Sequence, residues 1–574
     1  MNKFEIAAAL QEIGLLLRIK GTDQYRWRAY ARAAQAVAET GDNFPALVDN
    51  KRLTEIKGVG ASLAAVIEDL YKTGRSPVLE KLREELPQGV LTLSKIPGLT
   101  VTKIQALNRA LGISSVADLK AALAAGKLRD VPGFGAKTEN ALREQISRLE
   151  NRDDRILLFH ALRAAEKVVD YMHDYAGLTR IDIAGSARRW KETVSMIRIT
   201  AAVSKAPEAA VQHFLSFPPI VEVESQDQAS AIVKLMEGVR VSFSAAAPDE
   251  YWNLLHSETG SRAHLDRIEE IAKSKRIQWT PRKLKSIGKR ATLKVEKEAD
   301  IYHHLGMQYV PPELREDAGE IEDALAGKIP DDLILLEDIR GMVHCHTTYS
   351  DGRNSVEEMA LAAQSMGMKY MTITDHSPTA SYAGGLTVDR LMKQWDEISR
   401  VQEKVSIKLL RGTESDILRD GALDYSDSIL EKFDVIIASI HNRYKLDEDE
   451  MTRRIINAVK NPLFKVWGHP LGRLVQRRPP IACRLEEIFD VIAESNAAIE
   501  ISGDPHRLDL EPRWIKEARK RPIKFVISTD AHSVSDLQNL KFGIGLARRA
   551  GVRKREVLNT LGLKAFVSSV SPTA

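Results

Sequence analysis

The C-terminal part of the chain alternates short apolar runs with helix-like stretches, and each apolar run ends in a polar motif. Seven such runs occur: GMVHCHTTYSDG, YMTITDHS, IKLLRGTESDI, DVIIASIHN, KVWGHP, AAIEISGD and FVISTDAHS. This alternation is typical of parallel strands that are joined by crossover helices. Seven units therefore predict a barrel-like α/β domain in the C-terminal third of the chain, which begins near Leu335.

Histidine and acidic side chains are concentrated where these predicted strands end. Because the carboxyl ends of barrel strands meet at the face that carries the active site, we expect these side chains to converge. His344 and His346 are two residues apart, so on one strand they point to the same side. The candidate metal ligands are His344, His346, Asp351, His376, Glu414, His441, His469, Asp530 and His532.

The candidate set combines histidine nitrogens with carboxylate oxygens, a mixture that suits Mn²⁺, Zn²⁺ or Fe²⁺. Nine groups exceed the shell of one ion, so we expect two or three divalent ions. Any one of these histidines alone would more simply satisfy a hydrogen bond in the core, but independent core histidines need not fall at successive strand ends. Cys345 lies between two candidate ligands and should point to the opposite face, so we expect it to pack in the core.

Six motifs of this region, HCHTTYSDG, ITDHS, GTESDI, IHNRY, GHPLGRL and STDAHS, resemble in order those of the PHP (polymerase and histidinol phosphatase) domain. The resemblance implies that the nine candidates are metal ligands and that no separate protein nucleophile is needed. Clustered divalent ions activate water and neutralise a leaving oxygen, so phosphoester hydrolysis is the expected reaction. Met342 and Val343 stand where the family usually has Asp-Leu, and we expect little consequence because neither is a ligand.

The first 150 residues read as short amphipathic helices with glycine-centred turns, which predicts an all-α region. Three turns open a helix in a similar way, and their glycines are Gly58 and Gly60, Gly98, and Gly133 and Gly135. Glycine lets the backbone approach a phosphate, and the following helix N-terminus presents free N–H groups. The turns resemble helix-hairpin-helix motifs, which grip DNA backbones without reading sequence. One such turn alone would be an ordinary helix cap, but three predict DNA binding.

The middle of the chain mixes strand and helix signals, which predicts an α+β domain. The motifs YRWRAYARAAQAV, IAGSARRWKETV, ETGSRAH and LGMQYVPPELRE resemble those of bacterial family X DNA polymerases, which carry such a region in front of a PHP domain. The domains expected from this resemblance are a helical N-terminal domain at 1–90, a fingers-like region at 91–150, a degenerate polymerase palm at 151–258, a thumb-like domain at 259–318, a linker at 319–337 and the PHP domain at 338–574.

The palm departs from the family at the residues that polymerisation requires. Family members place two metal-binding Asp residues after the GSxRR motif and a third on a later strand; here Met196, Arg198 and Ser242 stand at those positions. Asp227 is the only Asp between Gly185 and Pro248. Because nucleotidyl transfer needs two cations held by carboxylates, we expect no polymerase activity.

Other polymerase-like features are retained only in part. Gly185, Ser186 and Arg189 remain in the GSARR motif and could still hold a phosphate. In the animal relatives a lysine after the first hairpin forms a Schiff base with an abasic sugar, and the position that corresponds to it here is Val66. Lyase activity by that route is therefore not expected.

Composition and sequence pattern indicate where in the cell the protein acts and how its charge is distributed. Only two cysteines occur, no apolar run is long enough to span a bilayer, and the start of the chain lacks a signal-peptide pattern, so we expect a cytoplasmic, nucleoid-associated protein. The net charge of +4 is uneven, because residues 262–298 hold 12 Lys/Arg against five Asp/Glu. That segment is a candidate phosphate-facing surface, although a solvated helix face would look the same.

The function predicted from these features is a DNA-binding, metal-dependent phosphoesterase, either a 3′-5′ exonuclease or a 3′-end-processing enzyme of DNA repair. One alternative is a phosphatase for a small metabolite such as histidinol phosphate, which would not need the hairpins. Another is a catalytically silent scaffold that binds DNA ends, which the complete ligand set argues against. The third is a DNA polymerase, which the resemblance suggests and the palm residues contradict.

Overall fold

The computed structural model of the protein describes residues 3–20, 24–39, 44–56, 58–85, 93, 96, 99–135, 138–139, 142–143, 155–236, 238–287 and 291–571. The chain forms two compact units, Met1–Asp153 and Asp154–Ala574. No helix among the described residues is long and apolar enough to cross a membrane.

The first unit contains helices and turns but no strand among its described residues, which agrees with the predicted all-α region. Its helices are α1 (Lys3–Lys20), α2 (Gln24–Glu39), α3 (Phe44–Asp49), α4 (Ala61–Thr73), α5 (Pro77–Glu85), α6 (Val101–Leu111) and α7 (Val116–Ala124). Helix α1 buries Ile6, Leu10, Ile13 and Leu17, which recur every three or four residues and so share one face. Two apolar cores result, one around α1 to α5 and one around α6 and α7.

The second unit begins with the palm-like part (residues 155–259), a mixed five-stranded sheet flanked by helices. Its strands are β1 (Ile156–Leu157), β2 (Leu178–Ala184), β3 (Thr193–Val194), β4 (Ile197–Val203), β5 (Ile220–Gln226), β6 (Ser230–Leu235) and β7 (Arg240–Ala246). Its helices are α8 (Leu158–Met172), α9 (Gly185–Arg188), α10 (Pro207–Leu215) and α11 (Tyr251–Thr259). The sheet order is β2-β4-β7-β6-β5, with β4 and β7 parallel, while β1 and β3 form a separate ribbon.

The thumb-like part (residues 260–331) packs three short antiparallel strands against helices. Its elements are α12 (Arg262–Ser274), β8 (Ile277–Trp279), β9 (Leu284–Ser286), β10 (Ala291–Leu293), α13 (Glu298–His304) and α14 (Glu320–Leu325). The carboxylate of Glu298 is buried between Arg315, whose Nη1 lies 2.6 Å away, and Arg188 of the palm-like part, whose Nη2 lies 2.6 Å away. This buried triad joins the thumb-like part to the palm-like part.

The barrel part (residues 332–571) contains seven parallel strands in sequence order, as predicted. The strands are β11 (Gly341–Met342), β12 (Tyr370–Ile373), β13 (Lys408–Asp416), β14 (Val435–Ser439), β15 (Val466–Trp467), β16 (Ala498–Ser502) and β17 (Lys524–Ser528). A parallel bridge between Cys345 and Ala531 brings the first and last strand extensions together, so the barrel is nearly closed. Cys345 itself is fully buried in the apolar core.

Helices cover the outside of the barrel and connect its strands. They are α15 (Val356–Ser365), α16 (Val388–Gln402), α17 (Asp427–Leu430), α18 (Glu448–Val459), α19 (Leu485–Glu494), α20 (Pro512–Ala518), α21 (Leu540–Arg549) and α22 (Leu563–Val570). Several begin at a residue whose side chain accepts a backbone N–H, such as Ser355, Thr387 and Asp447. These caps fix where each crossover helix starts after its strand-end loop.

The palm-like part packs directly against helix α21 of the barrel. Trp190 lies over Gly545, where an added Cβ would come 2.3 Å from a ring atom, and the ring meets Phe542 edge-on at a centroid distance of 5.7 Å. Arg548 pairs with Glu313 of the thumb-like part at 2.6 Å. The barrel is therefore packed against both polymerase-like parts.

Replacing Gly545 with alanine should destabilise this packing, because the new methyl group would overlap the indole of Trp190. We expect a loss of about 1–3 kcal/mol in the free energy of unfolding, measured by thermal or chemical denaturation. Gly562→Ala is the control, since a Cβ there meets nothing within 4 Å. Equal stability of Gly545→Ala and the wild type would contradict the packing described here.

Candidate metal centre

The nine predicted ligands lie together at the carboxyl ends of the barrel strands, and Glu414 is at their centre. Its oxygens lie 2.8 Å from His469 Nε2, 3.0 Å from His376 Nδ1 and 3.1 Å from His441 Nε2. Glu414 is on β13, the third of the seven barrel strands, so strands on both sides bring their histidines to it. One buried carboxylate thus connects side chains from several strands.

The candidate ligands form three overlapping groups, in each of which the ligand atoms lie within 4.8 Å of one another. The groups are His344, His346, Glu414 and Asp530; His346, Asp351, His376 and His532; and His376, Glu414 and His441. His469 adjoins the third group, since its Nε2 lies 3.3 Å from His441 Nε2. The structure therefore brings all nine residues together in an arrangement that could hold more than one metal ion.

Unpaired polar atoms in this cluster show that the residues fit a metal shell. Five buried atoms make no hydrogen bond of ordinary geometry: His344 Nε2, both ring nitrogens of His346, His376 Nδ1 and Glu414 Oε2. The last two lie only 3.0 Å apart, but without the alignment of a hydrogen bond. Buried polar atoms are nearly always paired, so a group of them facing one another needs an explanation. Cations bound between these atoms would satisfy them, which agrees with the donor types present.

The charges of the cluster shift its pKa values. Burial alone would raise the pKa of Glu414, but His441 and other nearby histidines hold it well below its usual range. Burial, together with repulsion from neighbouring histidines, lowers the pKa of His346 to about 3. Burial opposes protonation of His441, yet the carboxylates of Glu414 and Asp416 raise its pKa to about 9. Glu414 is thus ionised and His346 neutral, the forms in which these groups bind cations.

Two carboxylates that sequence reasoning missed orient the candidate ligands. Glu500 on β16 lies 2.7 Å from His344 Nδ1 and also accepts from the backbone N–H of His469. Asp416 lies 2.6 Å from His441 Nδ1. A carboxylate in this position fixes the ring and the nitrogen that faces a metal. The available signal was an acidic residue inside the apolar strand AAIEIS, and a second acid two residues after Glu414.

Replacing Glu500 with glutamine should lower hydrolytic activity about 10- to 100-fold, because His344 would lose the carboxylate that holds its ring. Metal content, measured on the purified variant, should fall with activity. Glu487→Gln, an exposed acid on α19, is the control and should change neither. Full activity in Glu500→Gln would show that His344 needs no such support.

Arg507 reaches the same cluster from the loop after β16. Its Nε lies 3.3 Å from Asp530 Oδ2, and both its Nε and its Nη1 are buried without a hydrogen-bond partner. Nε also lies 3.4 Å from Asp504 Oδ2, whereas Nη1 remains a buried donor without a hydrogen-bond partner, which is suited to a phosphate oxygen. The motif SGDPHRLDL does not predict this role, because a lone arginine after a strand has no distinctive spacing.

Family models match four parts of the chain. They describe a helix-hairpin-helix domain at residues 1–76, a SAM-like helix-hairpin-helix tandem at 90–148, a DNA polymerase beta thumb at 254–316 and a PHP domain at 343–503. A Bacillus subtilis (strain 168) protein named DNA polymerase/3′-5′ exonuclease PolX is 31% identical over 567 residues, which cover 98% of each chain. The chain belongs to the bacterial PolX family. Its helix-hairpin-helix and thumb domains imply DNA binding.

Shorter relatives of this PolX-family chain are hydrolases by name. A probable phosphatase of Thermoanaerobacter sp. (strain X514) is 28% identical over 229 residues, which are 38% of this chain and 89% of that protein. A probable phosphatase of Caldicellulosiruptor saccharolyticus is 30% identical over 213 residues, which are 34% of this chain and 80% of that protein. Together with the PHP domain, these relatives support a hydrolytic phosphoesterase activity.

Two of the three palm positions where the PolX resemblance expects carboxylates are neighbours in the structure. Arg198 and Ser242 are register partners on the parallel strands β4 and β7, and Met196 comes just before β4. The Arg198 guanidinium pairs with Glu258, and its stem lies against Gly185, where an added Cβ would come 2.9 Å from Arg198 Cδ. A cation and its acidic partner therefore occupy the place where acidic metal ligands were expected.

The possible phosphate loop of the palm is engaged in other contacts. Gly185 has φ +66° and begins α9 together with Ser186. Arg189 Nε donates to Glu316 at 2.9 Å, and its Nη1 donates to the carbonyl of Thr259 at 2.5 Å. Phosphate binding by this loop stays a prediction, and Arg189 would have to leave both partners to take part.

The glycine turns have the backbone geometry that close approach requires. Gly58 has φ +92° and Gly133 has φ +90°, and neither glycine has an atom within 4 Å of an added Cβ. Gly60 precedes the first residue of α4 and makes no side-chain cap, so the first N–H groups of that helix are available. Gly135 follows Gly133 in the third turn, while Gly98 of the second lies outside the described residues.

The three turns also share a hydrogen bond between their apolar residues. The amide of Val59 donates to Ile56, that of Leu99 to Ile96, and that of Phe134 to Val131, at 2.9, 3.1 and 3.0 Å. The second turn therefore has the same hydrogen bond as the other two, although Thr100 stands in place of its second glycine. Thr100 caps α6 with its hydroxyl.

The basic segment at residues 262–298 is less positive than its composition indicates. Arg267 pairs with Glu322, and both Arg282 and Lys283 pair with Glu250. The hairpin turns are accordingly the stronger candidates for DNA contact.

Proposed function

We propose that this chain is a metal-dependent phosphodiesterase that removes nucleotides from DNA 3′ ends, with a polymerase module that is silent. The observation that carries the proposal is the convergence of all nine candidate ligands around Glu414. The printed name of the Bacillus subtilis relative includes 3′-5′ exonuclease activity, which agrees with it. A role in processing 3′ ends during DNA repair, in the cytoplasm at the nucleoid, follows from such a substrate.

In this proposal the nine residues hold two or three divalent ions, which are Mn²⁺ or Zn²⁺, with Fe²⁺ as the alternative. When bound, such ions supply an activated water and offset charge on the phosphoryl oxygens. The domain limits are those proposed from the sequence, namely 1–90, 91–150, 151–258, 259–318, 319–337 and 338–574.

The chain's own residues then orient and bind the substrate. Glu500 holds the ring of His344, and Asp416 holds that of His441, so both imidazoles keep one orientation. Arg507 donates from its free Nη1 to an oxygen of the scissile phosphate, which places the phosphorus beside the cluster. No serine or cysteine nucleophile is required, and Cys345 is too deeply buried to serve as one.

The proposed inactivity of the polymerase module rests on Met196, Arg198 and Ser242. The two cations of nucleotidyl transfer need carboxylates, and the Arg198 guanidinium would repel a cation at this place. Glu258, an acid beside these positions, is already paired with Arg198. The palm-like part would then serve in DNA binding and in support of the barrel.

A small-molecule phosphatase is the second candidate, because the shorter relatives are named probable phosphatases. The helix-hairpin-helix and thumb domains favour DNA instead, since a small metabolite does not need them. A silent DNA-end scaffold is less well supported, because it would not need the unpaired atoms of the ligand cluster.

The test compares substrates on one preparation of known metal content. We expect metal-depleted protein to regain activity with Mn²⁺, to release mononucleotides from 3′-labelled linear DNA, and to leave circular single-stranded DNA intact. Release from a 5′ end would contradict the polarity. Hydrolysis of histidinol phosphate at a higher kcat/KM than DNA would favour the phosphatase instead.

Replacing Gly58 or Gly133 with valine should weaken DNA binding about 5- to 20-fold near 0.1 M salt, since valine disfavours their positive φ and blocks phosphate approach. Binding is measured by fluorescence anisotropy with duplexes of unrelated sequence, which should bind alike. Gly238→Val, a positive-φ glycine of the palm-like sheet, is the control for backbone strain. Unchanged affinity in both hairpin variants would exclude these turns from the DNA interface.

A further inference from the structure

The loop that carries Arg507 to the ligand cluster depends on Arg473 for its shape. This loop, residues 504–509, is named the arginine loop. Arg473 Nε donates to the carbonyl of Arg507 at 2.9 Å, and its Nη2 donates to the carbonyl of Leu508. Leu508 has φ +45°, a region that residues with a side chain rarely adopt. The loop therefore needs contacts that hold its carbonyls from outside.

Arg473 is in turn held by the palm-like part. Its Nη2 donates to one oxygen of Glu192 at 2.8 Å, and its Nη1 lies 3.3 Å from the other. The backbone carbonyl of Glu192 accepts from the N–H of Leu158 at 3.0 Å, which anchors Glu192 in the palm-like part. The Arg473 side chain is only 7% exposed, so removing a charged partner disturbs it strongly. Glu511 of the barrel is its other acidic partner, at 3.1 Å.

A second connection runs beside the first. Gln476 Nε2 donates to the carbonyl of Arg155 in the palm-like part at 2.7 Å, and the N–H of Val475 donates to the carbonyl of His506 in the arginine loop at 2.7 Å. The segment from Arg473 to Gln476 therefore touches the palm-like part on one side and the arginine loop on the other.

We propose that Glu192 of the palm-like part positions Arg507 for phosphate binding through Arg473, so that the polymerase-like module is a working part of the phosphoesterase site. Glu192 touches neither the ligand cluster nor a substrate, and it acts as a positioning residue. The inference rests on the proposed function in so far as Arg507 is taken to bind phosphate. It assigns a function to Glu192, the acid of the GSARRWKE segment, in a module that lacks the polymerase carboxylates.

The test is a double-mutant cycle on the full-length, Mn²⁺-loaded protein, with inorganic phosphate as the probe and isothermal titration as the readout. Arg507→Gln should weaken phosphate binding about 10- to 30-fold, and Glu192→Ala about 5- to 10-fold. The double variant should bind no more weakly than Arg507→Gln, because Glu192 acts only through Arg507. Glu192→Gln, which keeps one acceptor, should recover part of the affinity.

Glu166→Ala is the matched control and should bind phosphate as the wild type does. Glu166 also faces the barrel from the palm-like part, 3.9 Å from Lys541, and among the described residues no hydrogen bond or ion pair joins it to the arginine loop. Any of three results would overturn the inference. The two losses of phosphate affinity could multiply in the double variant, Glu192→Ala could bind phosphate as tightly as the wild type, or the wild type could bind no phosphate. If the double-mutant cycle gives the expected phosphate affinities but the wild-type protein does not cleave DNA, the proposed function alone is rejected.

Discussion

Replacing Glu414 with glutamine should reduce phosphodiester hydrolysis about 10³-fold or more, since one variant removes the carboxylate shared by two of the three ligand groups. The measurement is turnover of bis(4-nitrophenyl) phosphate with Mn²⁺, a substrate that needs no DNA-binding module. Metal content should fall in the same variant. DNA affinity should not change, because the proposed DNA contacts lie outside the ligand cluster.

Glu431→Gln, an exposed acid in the same barrel, is the control for charge loss and should keep full turnover. Circular dichroism and thermal unfolding should show that Glu414→Gln is folded. A folded Glu414→Gln protein with wild-type turnover would mean that the ligand cluster does not catalyse the reaction.

The second large effect that we expect is the complete absence of primer extension. The three palm positions hold Met196, Arg198 and Ser242, and the guanidinium of Arg198 is already paired with Glu258. The assay uses a primer with a phosphorothioate 3′ end, which resists degradation, on a template with all four deoxynucleotides and either Mg²⁺ or Mn²⁺. Extension that survives further purification, at a rate proportional to the protein, would show that the palm is active.

Much of the barrel was predictable because its signals are local. Each strand is an apolar run followed by its polar motif. The alternation therefore predicts seven parallel strands, and the polar residues at the strand ends identify the candidate ligands. The closure of the barrel through Cys345 and Ala531 was harder to predict from the sequence, since it depends on the twist accumulated over all strands.

The supporting residues were harder to find because their roles depend on neighbours distant in sequence. Glu500 looks like a misplaced acid in a strand until the fold brings it to His344, 156 positions away. Arg507 and Glu192 have ordinary spacing, and their connection through Arg473 exists only after the palm-like part packs against the barrel. Sequence pattern reports periodicity, whereas these contacts are set by packing between domains.

The same limit applies to the basic segment at residues 262–298. Counting charges predicted a phosphate-facing surface, but acidic partners such as Glu250 and Glu322 come from outside the segment and neutralise part of it. Composition alone cannot show which charges are paired.

The most direct test of the account follows a 5′-labelled primer, annealed to a template, with Mn²⁺ and all four deoxynucleotides present. The wild-type protein should give only shorter products, and Arg198→Ala should do the same, because the palm takes no part in the chemistry. Glu414→Gln should leave the primer at its original length. Shortening by Glu414→Gln at the wild-type rate, or longer products with any of the three proteins, would contradict the claim that the barrel hydrolyses DNA while the palm is silent.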